Sequence, residues 1–200
     1  RGMTGAAAIA GRAALRSGAG LVRVATPASV LPIVASIEPC YTTIPLPEGR
    51  DGRVSARAVN VILDAVKDND VVAFGPGLGQ NSGVKDVLQL LIGCKDLRLV
   101  IDADGLNCLA RSVSWIRHRK ASIILTPHPG EMKRLWGSVF RTAIPSDRVQ
   151  TAVDFAHETD CTIVLKGAGT VVAEGEKFYL NETGNPGMAN IAGLFGVKWA

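Results

Sequence analysis

The stretch Val71-Val72-Ala73-Phe74, running straight into Gly75-Pro76-Gly77-Leu78-Gly79-Gln80, decides how this chain reads. Four apolar residues closed by a Gly/Pro cluster have the pattern of a short buried strand ending in a turn. The same grammar recurs three times. Residues 97–101 enter Asp102-Ala103-Asp104-Gly105-Leu106-Asn107, Ser122–Leu125 enter Thr126-Pro127-His128-Pro129-Gly130-Glu131, and Thr162–Leu165 enter Lys166-Gly167-Ala168-Gly169-Thr170. Apolar residues at helical spacing fill the intervals, at 84–92, 106–109, 130–136 and 148–157. Strands alternating with helices predict an α/β fold with a parallel sheet covered on both faces.

Working outward, residues 5–17 form an Ala-rich helical pattern stopped by Gly18-Ala19-Gly20, and 21–25 read as a strand closed by Thr26-Pro27. Further helices are expected at 28–37 and 55–66. Beyond Leu165 the pattern changes to a hairpin, 170–173 and 177–180, joined through Glu174-Gly175-Glu176. No repeat and no linker interrupts the chain, so residues 1–200 read as a single domain.

Composition removes several classes of function. Apolar residues make up 47% of the 200 and charged residues 20%, which excludes a disordered or collagen-like chain. The net charge is only +4. Its densest basic run, Arg117-His118-Arg119-Lys120 beside Trp115, reads as a solvated helix end, and no groove-reading motif points to nucleic acid. Cys40, Cys94, Cys108 and Cys161 form no C-x-x-C pair. They read as buried free thiols of a cytoplasmic protein rather than zinc ligands or a redox dithiol. No apolar run reaches the roughly 18 residues of a membrane span, and no signal peptide is visible.

In open α/β sheets ligands lie beyond the carboxyl ends of the strands, where all four unusual loops fall. The Gly75–Gly79 loop removes side chains where a ligand must approach closely, but it lacks both G-x-G-x-x-G spacing and the Lys and Ser/Thr of a P-loop. Lys166 with Gly167, Ala168, Gly169 and Thr170 offers an ammonium, open amides and a hydroxyl, all donors suited to phosphate. His128, between two prolines, is positioned for a substrate hydroxyl or amide, whereas His118 and His157 lie on polar helix faces. Glu131 serves either a ligand or the start of a helix. Asp102 and Asp104 serve either a hydrated magnesium ion or a turn and helix cap.

Taken in order, these loops resemble the ADP/ATP-dependent NAD(P)H-hydrate dehydratases, carbohydrate-kinase-related members of the ribokinase-like superfamily. The resemblance begins at Met3-Thr4-Gly5-Ala6-Ala7 and Arg16-Ser17-Gly18-Ala19-Gly20-Leu21-Val22-Arg23-Val24. It runs through the four loops and ends at Gly184-Asn185-Pro186-Gly187-Met188-Ala189. It implies a ribokinase-like three-layer α/β sandwich with a mostly parallel central sheet, truncated at the carboxyl end.

The implied reaction restores the reduced nicotinamide of hydrated NADH or NADPH (the S epimer): ADP or ATP with Mg2+ phosphorylates the ring hydroxyl, and phosphate then leaves. Phosphate is a far better leaving group than hydroxide, and positioning with charge neutralisation carries most of such catalysis. The resemblance assigns Ala6, Gly77 and His128 to the hydrated dinucleotide. It assigns Lys166, Gly167, Ala168, Gly169, Thr170 and Asn185 to the nucleotide, and Asp104, Asn107 and Glu131 to the same cleft. It further implies a cytoplasmic homo-oligomer, a tetramer in many members.

The tail departs from the family pattern. Where the family has a Gly-Gly-x-Gly-Asp segment, whose amides form an anion hole and whose Asp is the base, residues 190–200 read Asn-Ile-Ala-Gly-Leu-Phe-Gly-Val-Lys-Trp-Ala. Loss of a general base forfeits about 10²–10⁴-fold in rate. No catalytic residue is therefore assigned. The alternative expectations are a nucleotide-binding remnant without turnover and, third, a kinase of a small vitamin-precursor alcohol.

Overall fold

The computed structural model describes residues 3–183. In chain order these form α1 (Thr4–Arg16), β1 (Arg23–Pro27), a 3-10 turn (Ala28–Val30) leading into α2 (Leu31–Ala35), β2 (Thr42–Leu46), α3 (Ala58–Val66) and β3 (Val71–Phe74). There follow α4 (Ser82–Gly93), β4 (Arg98–Ile101), α5 (Asp104–Leu109), α6 (Ser114–His118), β5 (Ser122–Leu125) and α7 (Pro129–Val139). The last are α8 (Arg148–Thr159), β6 (Thr162–Leu165), β7 (Thr170–Glu174) and β8 (Lys177–Asn181).

The main sheet has the order β3-β4-β5-β6-β7-β8. Its first four strands are parallel, and β7 and β8 return antiparallel as the expected hairpin. Phe74, Ile101 and Leu125 stand in one register row at the strand ends. β1 does not join this sheet. It pairs in parallel with β2, a strand for which the sequence carried little signal because Pro45 removes a ladder donor.

The side-chain period of two sorts the main sheet into unequal faces. Leu99, Ile101, Ile123, Leu125, Ile163, Leu165, Val171 and Ala173 are buried. They form one core with Val84, Leu88 and Leu91 of α4, Met132 and Leu135 of α7, and Phe155 and Ala156 of α8. On the alternate positions Val71 is 50% and Ile124 37% exposed, so among the described residues this face is covered less completely than the apolar pattern predicts. A second, smaller cluster joins Ala8 of α1, Val24 of β1, Val34 of α2 and Tyr41.

Local chemistry sets the helix ends. Asn81 accepts from the Val84 amide at the start of α4, and Asp147 accepts from the Val149 and Gln150 amides at the start of α8. α8 stops at Asp160, which is left-handed at φ +49°. The basic run closes α6 with Arg117 and His118, as a helix end should. Arg119 is different: it is half-buried, pairs with Asp160 and donates to the Ala121 carbonyl. None of the four thiols forms a disulfide; Cys108 and Cys161 are buried as expected, but Cys94, at the end of α4, is only half-buried and Cys40 is exposed in the turn that follows α2. Burial pushes the Cys161 thiol up to about 11, so it is inert at neutral pH. No helix among the described residues is long and apolar enough to cross a membrane.

Phe155 is fully buried and meets Phe140 edge-on at 6.1 Å between ring centroids. Phe155→Ala is expected to lower stability by about 3–5 kcal/mol in urea unfolding, through lost transfer energy and an unfilled cavity.

Candidate active site

Parallel neighbours put the carboxyl ends of β3, β4, β5 and β6 on one edge, and the loops beyond them stay bonded to each other. The Asp102 amide donates to Phe74 O (3.0 Å), the Thr126 amide to Ile101 O (3.1 Å) and the Lys166 amide to Pro127 O (2.8 Å). Four separate turns thereby become one continuous rim. Gly75, at φ +124°, is required where the first two cross: a Cβ there would lie 1.8 Å from Asp102 O.

The two aspartates of the second loop take different tasks. Ala103 between them is held at φ +49° and ψ −118°, a conformation unusual for a residue with a side chain. Asp102 Oδ1 lies 2.7 Å from Lys166 Nζ and also accepts from the Ala103 amide. Asp104 faces the other way: its Oδ2 accepts from the Gly79 amide (2.8 Å) and its Oδ1 from Gln80 Nε2 (3.1 Å). Gln80 in turn accepts from Arg111 at 2.7 Å. Asp104 therefore staples the second loop to the first and makes no side-chain cap bond at the start of α5, and Asp102 is an ion-pair partner.

His128 caps α7. Its Nδ1 accepts from the Gly130 (3.0 Å) and Glu131 (3.3 Å) amides, while the buried Glu131 carboxylate accepts from the His128 amide at 2.9 Å. This reciprocal arrangement is a capping box. With Nδ1 accepting, the proton of the neutral ring sits on Nε2, 3.4 Å from Glu131 Oε1. Glu131 thus serves the helix start. Asn107 accepts from Arg134 Nε at 2.8 Å, which ties α5 to α7.

The fourth loop carries the phosphate-donor pattern. Gly167 (φ +148°) and Gly169 (φ +62°) turn it sharply, and Thr170 Oγ1 donates to Gly167 O at 3.0 Å. Gly167 and Ala168 are exposed. Ala6 meets the rim at its other end: a Cβ on Gly77 would stand 3.1 Å from the Ala6 Cβ and 2.9 Å from Met3 O. Ala6 and Gly77, assigned to one ligand from the sequence, are thus neighbours. Asn185 lies outside the described residues, as does the departing tail at 190–200.

Two contributors escaped the sequence reading. Arg53 lines a small cavity with Thr4, Pro76 and Gly77, and nothing in its local pattern marks it. Arg148, read only as a helix start, reaches the fourth loop. Among the described residues no group of three or more His, Cys, Asp or Glu could hold a metal ion.

The described elements define a ribokinase-like α/β fold with a strand-edge site. The sequence matches, over residues 1–193, the carbohydrate-kinase family model described as NAD(P)H-hydrate dehydratase, and the chain belongs to that family. The bifunctional NAD(P)H-hydrate repair enzyme Nnr of Moorella thermoacetica is 40% identical over 189 residues, 94% of this chain and 36% of that enzyme. The Escherichia coli K12 enzyme of the same name is 37% identical over 190 residues, 94% of this chain and 34% of its own length. The chain therefore spans about a third of these curated relatives.

Among solved structures, the Bacillus subtilis ADP/ATP-dependent NAD(P)H-hydrate dehydratase co-crystallised with ATP/Mg2+ superposes with a TM-score of 0.71 at 31% identity, covering 92% of this chain and 61% of that one. A ribokinase-like superfamily protein from Enterococcus faecalis gives 0.74 at 23% identity over 94% of this chain and 61% of its own, a likeness of fold alone.

His128→Ala is expected to cost about 0.5–2 kcal/mol by uncapping α7, and His128→Asn to recover most of it. Urea unfolding of the two variants beside the parent checks this.

Proposed function

We propose that this chain carries the ADP-dependent dehydration of hydrated NADH or NADPH. The observation that supports this most is the placement of the Lys166–Thr170 donors and the Ala6–Gly77 contact on one rim joined by backbone hydrogen bonds. In this reading Lys166 and the amides and hydroxyl from Gly167 to Thr170 hold the nucleotide phosphates. Ala6, Gly77 and His128 receive the hydrated nicotinamide end, and Asn185 belongs with the nucleotide. Asp104 and Asn107 act indirectly, through Gly79 and Arg134.

The reaction proceeds in two steps. The substrate ring hydroxyl attacks the terminal phosphorus of ADP, forming a phosphate ester and AMP and releasing the hydroxyl proton. The ester C–O bond then breaks and phosphate leaves with the bonding pair; the adjacent carbon loses a proton to solvent, and its C–H bonding pair becomes the restored ring double bond. The rim's part is to hold phosphorus and hydroxyl in reach and to neutralise charge by hydrogen bonding. Magnesium would enter with the nucleotide and supply charge neutralisation at its phosphates, since among the described residues no cluster of His, Cys, Asp or Glu could hold the ion by itself. A cytoplasmic homo-oligomer belongs to the same proposal, and sedimentation of the purified chain tests its assembly.

The decisive assay follows recovery of reduced-nicotinamide absorbance from hydrated NADH with magnesium and ADP, ATP or no nucleotide. ADP-dependent recovery is expected, with Lys166→Ala at least about ten-fold slower through loss of a charged phosphate donor. Folded protein that binds ADP yet gives no recovery would overturn turnover and leave the nucleotide-binding remnant.

A further inference from the structure

The fourth loop is shaped from behind by one side chain. Arg148, at the first turn of α8, directs NH1 to Ala168 O and NH2 to both Leu165 O and Lys166 O at 3.2 Å. A Cβ on Gly167 would stand 2.8 Å from that NH2, and the backbone there, at φ +148°, lies in the region that favours glycine. Arg148 Nε is itself buried with no acceptor among the described residues, which leaves these carbonyls as the group's hydrogen-bond partners.

Peptide geometry converts this clamp into a donor array. The chain has no cis peptide among its described residues, and a trans peptide points its N–H opposite its C=O. Drawing Lys166 O and Ala168 O onto Arg148 therefore turns the Gly167 and Gly169 amides to the opposite side of the loop. Neither amide donates to another backbone group among the described residues. Two amides two residues apart, turned to the same side of a tight loop, are elements of an anion-binding concavity.

Charge reinforces the geometry. Lys166, the cation the sequence singles out, faces Asp102 at 2.7 Å, so its charge is largely cancelled locally. Arg148 has no carboxylate within ion-pair distance among the described residues, and neighbouring Asp147 directs its Oδ1 to the Val149 and Gln150 amides. We infer that Arg148 is the positioning residue of the phosphate cradle, aiming the Gly167 and Gly169 amides at the ligand while supplying the cradle's uncompensated positive charge. It touches the loop and not the nucleotide. This rests on the nucleotide reading of the loop given above.

The test titrates ADP and adenosine into the parent chain, Arg148→Gln and Arg148→Lys, with thermal melts and amide NMR shifts of Gly167 and Gly169 in each. For Arg148→Gln, ADP affinity is expected to fall about ten-fold or more while adenosine affinity changes less than about two-fold, and the salt dependence of ADP binding to flatten. Arg148→Lys keeps the charge but not the planar fork. It should lose an intermediate amount and shift both amides, which keeps the idea testable if the glutamine variant does not fold. A purely structural role would weaken ADP and adenosine alike. That result, or unchanged ADP binding in Arg148→Gln, overturns the inference while leaving the nucleotide reading intact. A parent chain that binds no ADP removes the nucleotide reading and this inference together.

Discussion

The parallel alignment of β3 through β6 is the constraint on which the rest depends. Strands laid side by side in one direction must deliver their carboxyl ends to one edge, and the polar groups of the loops that follow then need partners. Here they find each other, as bonds from Asp102 to Phe74, Thr126 to Ile101 and Lys166 to Pro127 carry the pairing past the last strand residues. The apolar layer beneath, with Ile101, Leu125 and Leu165 buried at those strand ends, anchors the rim from below. Burial thus fixes where the loops start, and backbone hydrogen bonding fixes how they run.

Local strain then divides labour between groups that the sequence makes look equivalent. Asp102 and Asp104 are two residues apart and chemically identical, yet the positive φ of Ala103 sends one toward Lys166 and the other toward Gly79. Such a conformation costs roughly 1–3 kcal/mol, and it persists because the flanking bonds and the start of α5 hold it in place. A similar steric demand at Gly75, where any Cβ would collide with the Asp102 carbonyl, locks the first loop over the second.

These facts explain which features were legible in the residues. The four strand–loop units and the terminal hairpin were readable because short apolar runs bounded by Gly and Pro are a local signal. The pairing of β1 with β2 was not, since Pro45 hides the strand and partner choice is non-local. Among candidate site residues, the donor-rich loop after Lys166 was readable from its residues and the grouping of Ala6 with Gly77 came from the resemblance; the structure places Ala6 and Gly77 side by side. The alternatives for Glu131 could be separated only by seeing its carboxylate bonded to the His128 amide. Arg148 left no trace because its role spans 17 to 20 residues of sequence and consists of bonds to carbonyls, which no side-chain motif records.

A rim whose polar groups satisfy one another discriminates by exchange. An anion that approaches Lys166 must compete with Asp102, already at 2.7 Å, and gains only the difference between the two interactions. A neutral acceptor gains little from that exchange, because it surrenders an ion pair for a dipole. A phosphate carrying more than one charge can engage the ammonium while also meeting the outward amides of the Gly167–Gly169 turn, donors that Asp102 does not occupy. Under the function proposed above, the same pairing that weakens the lysine as a general anion trap would favour ligands with several acceptor oxygens in one cluster, the property that separates a polyphosphate from a simple carboxylate.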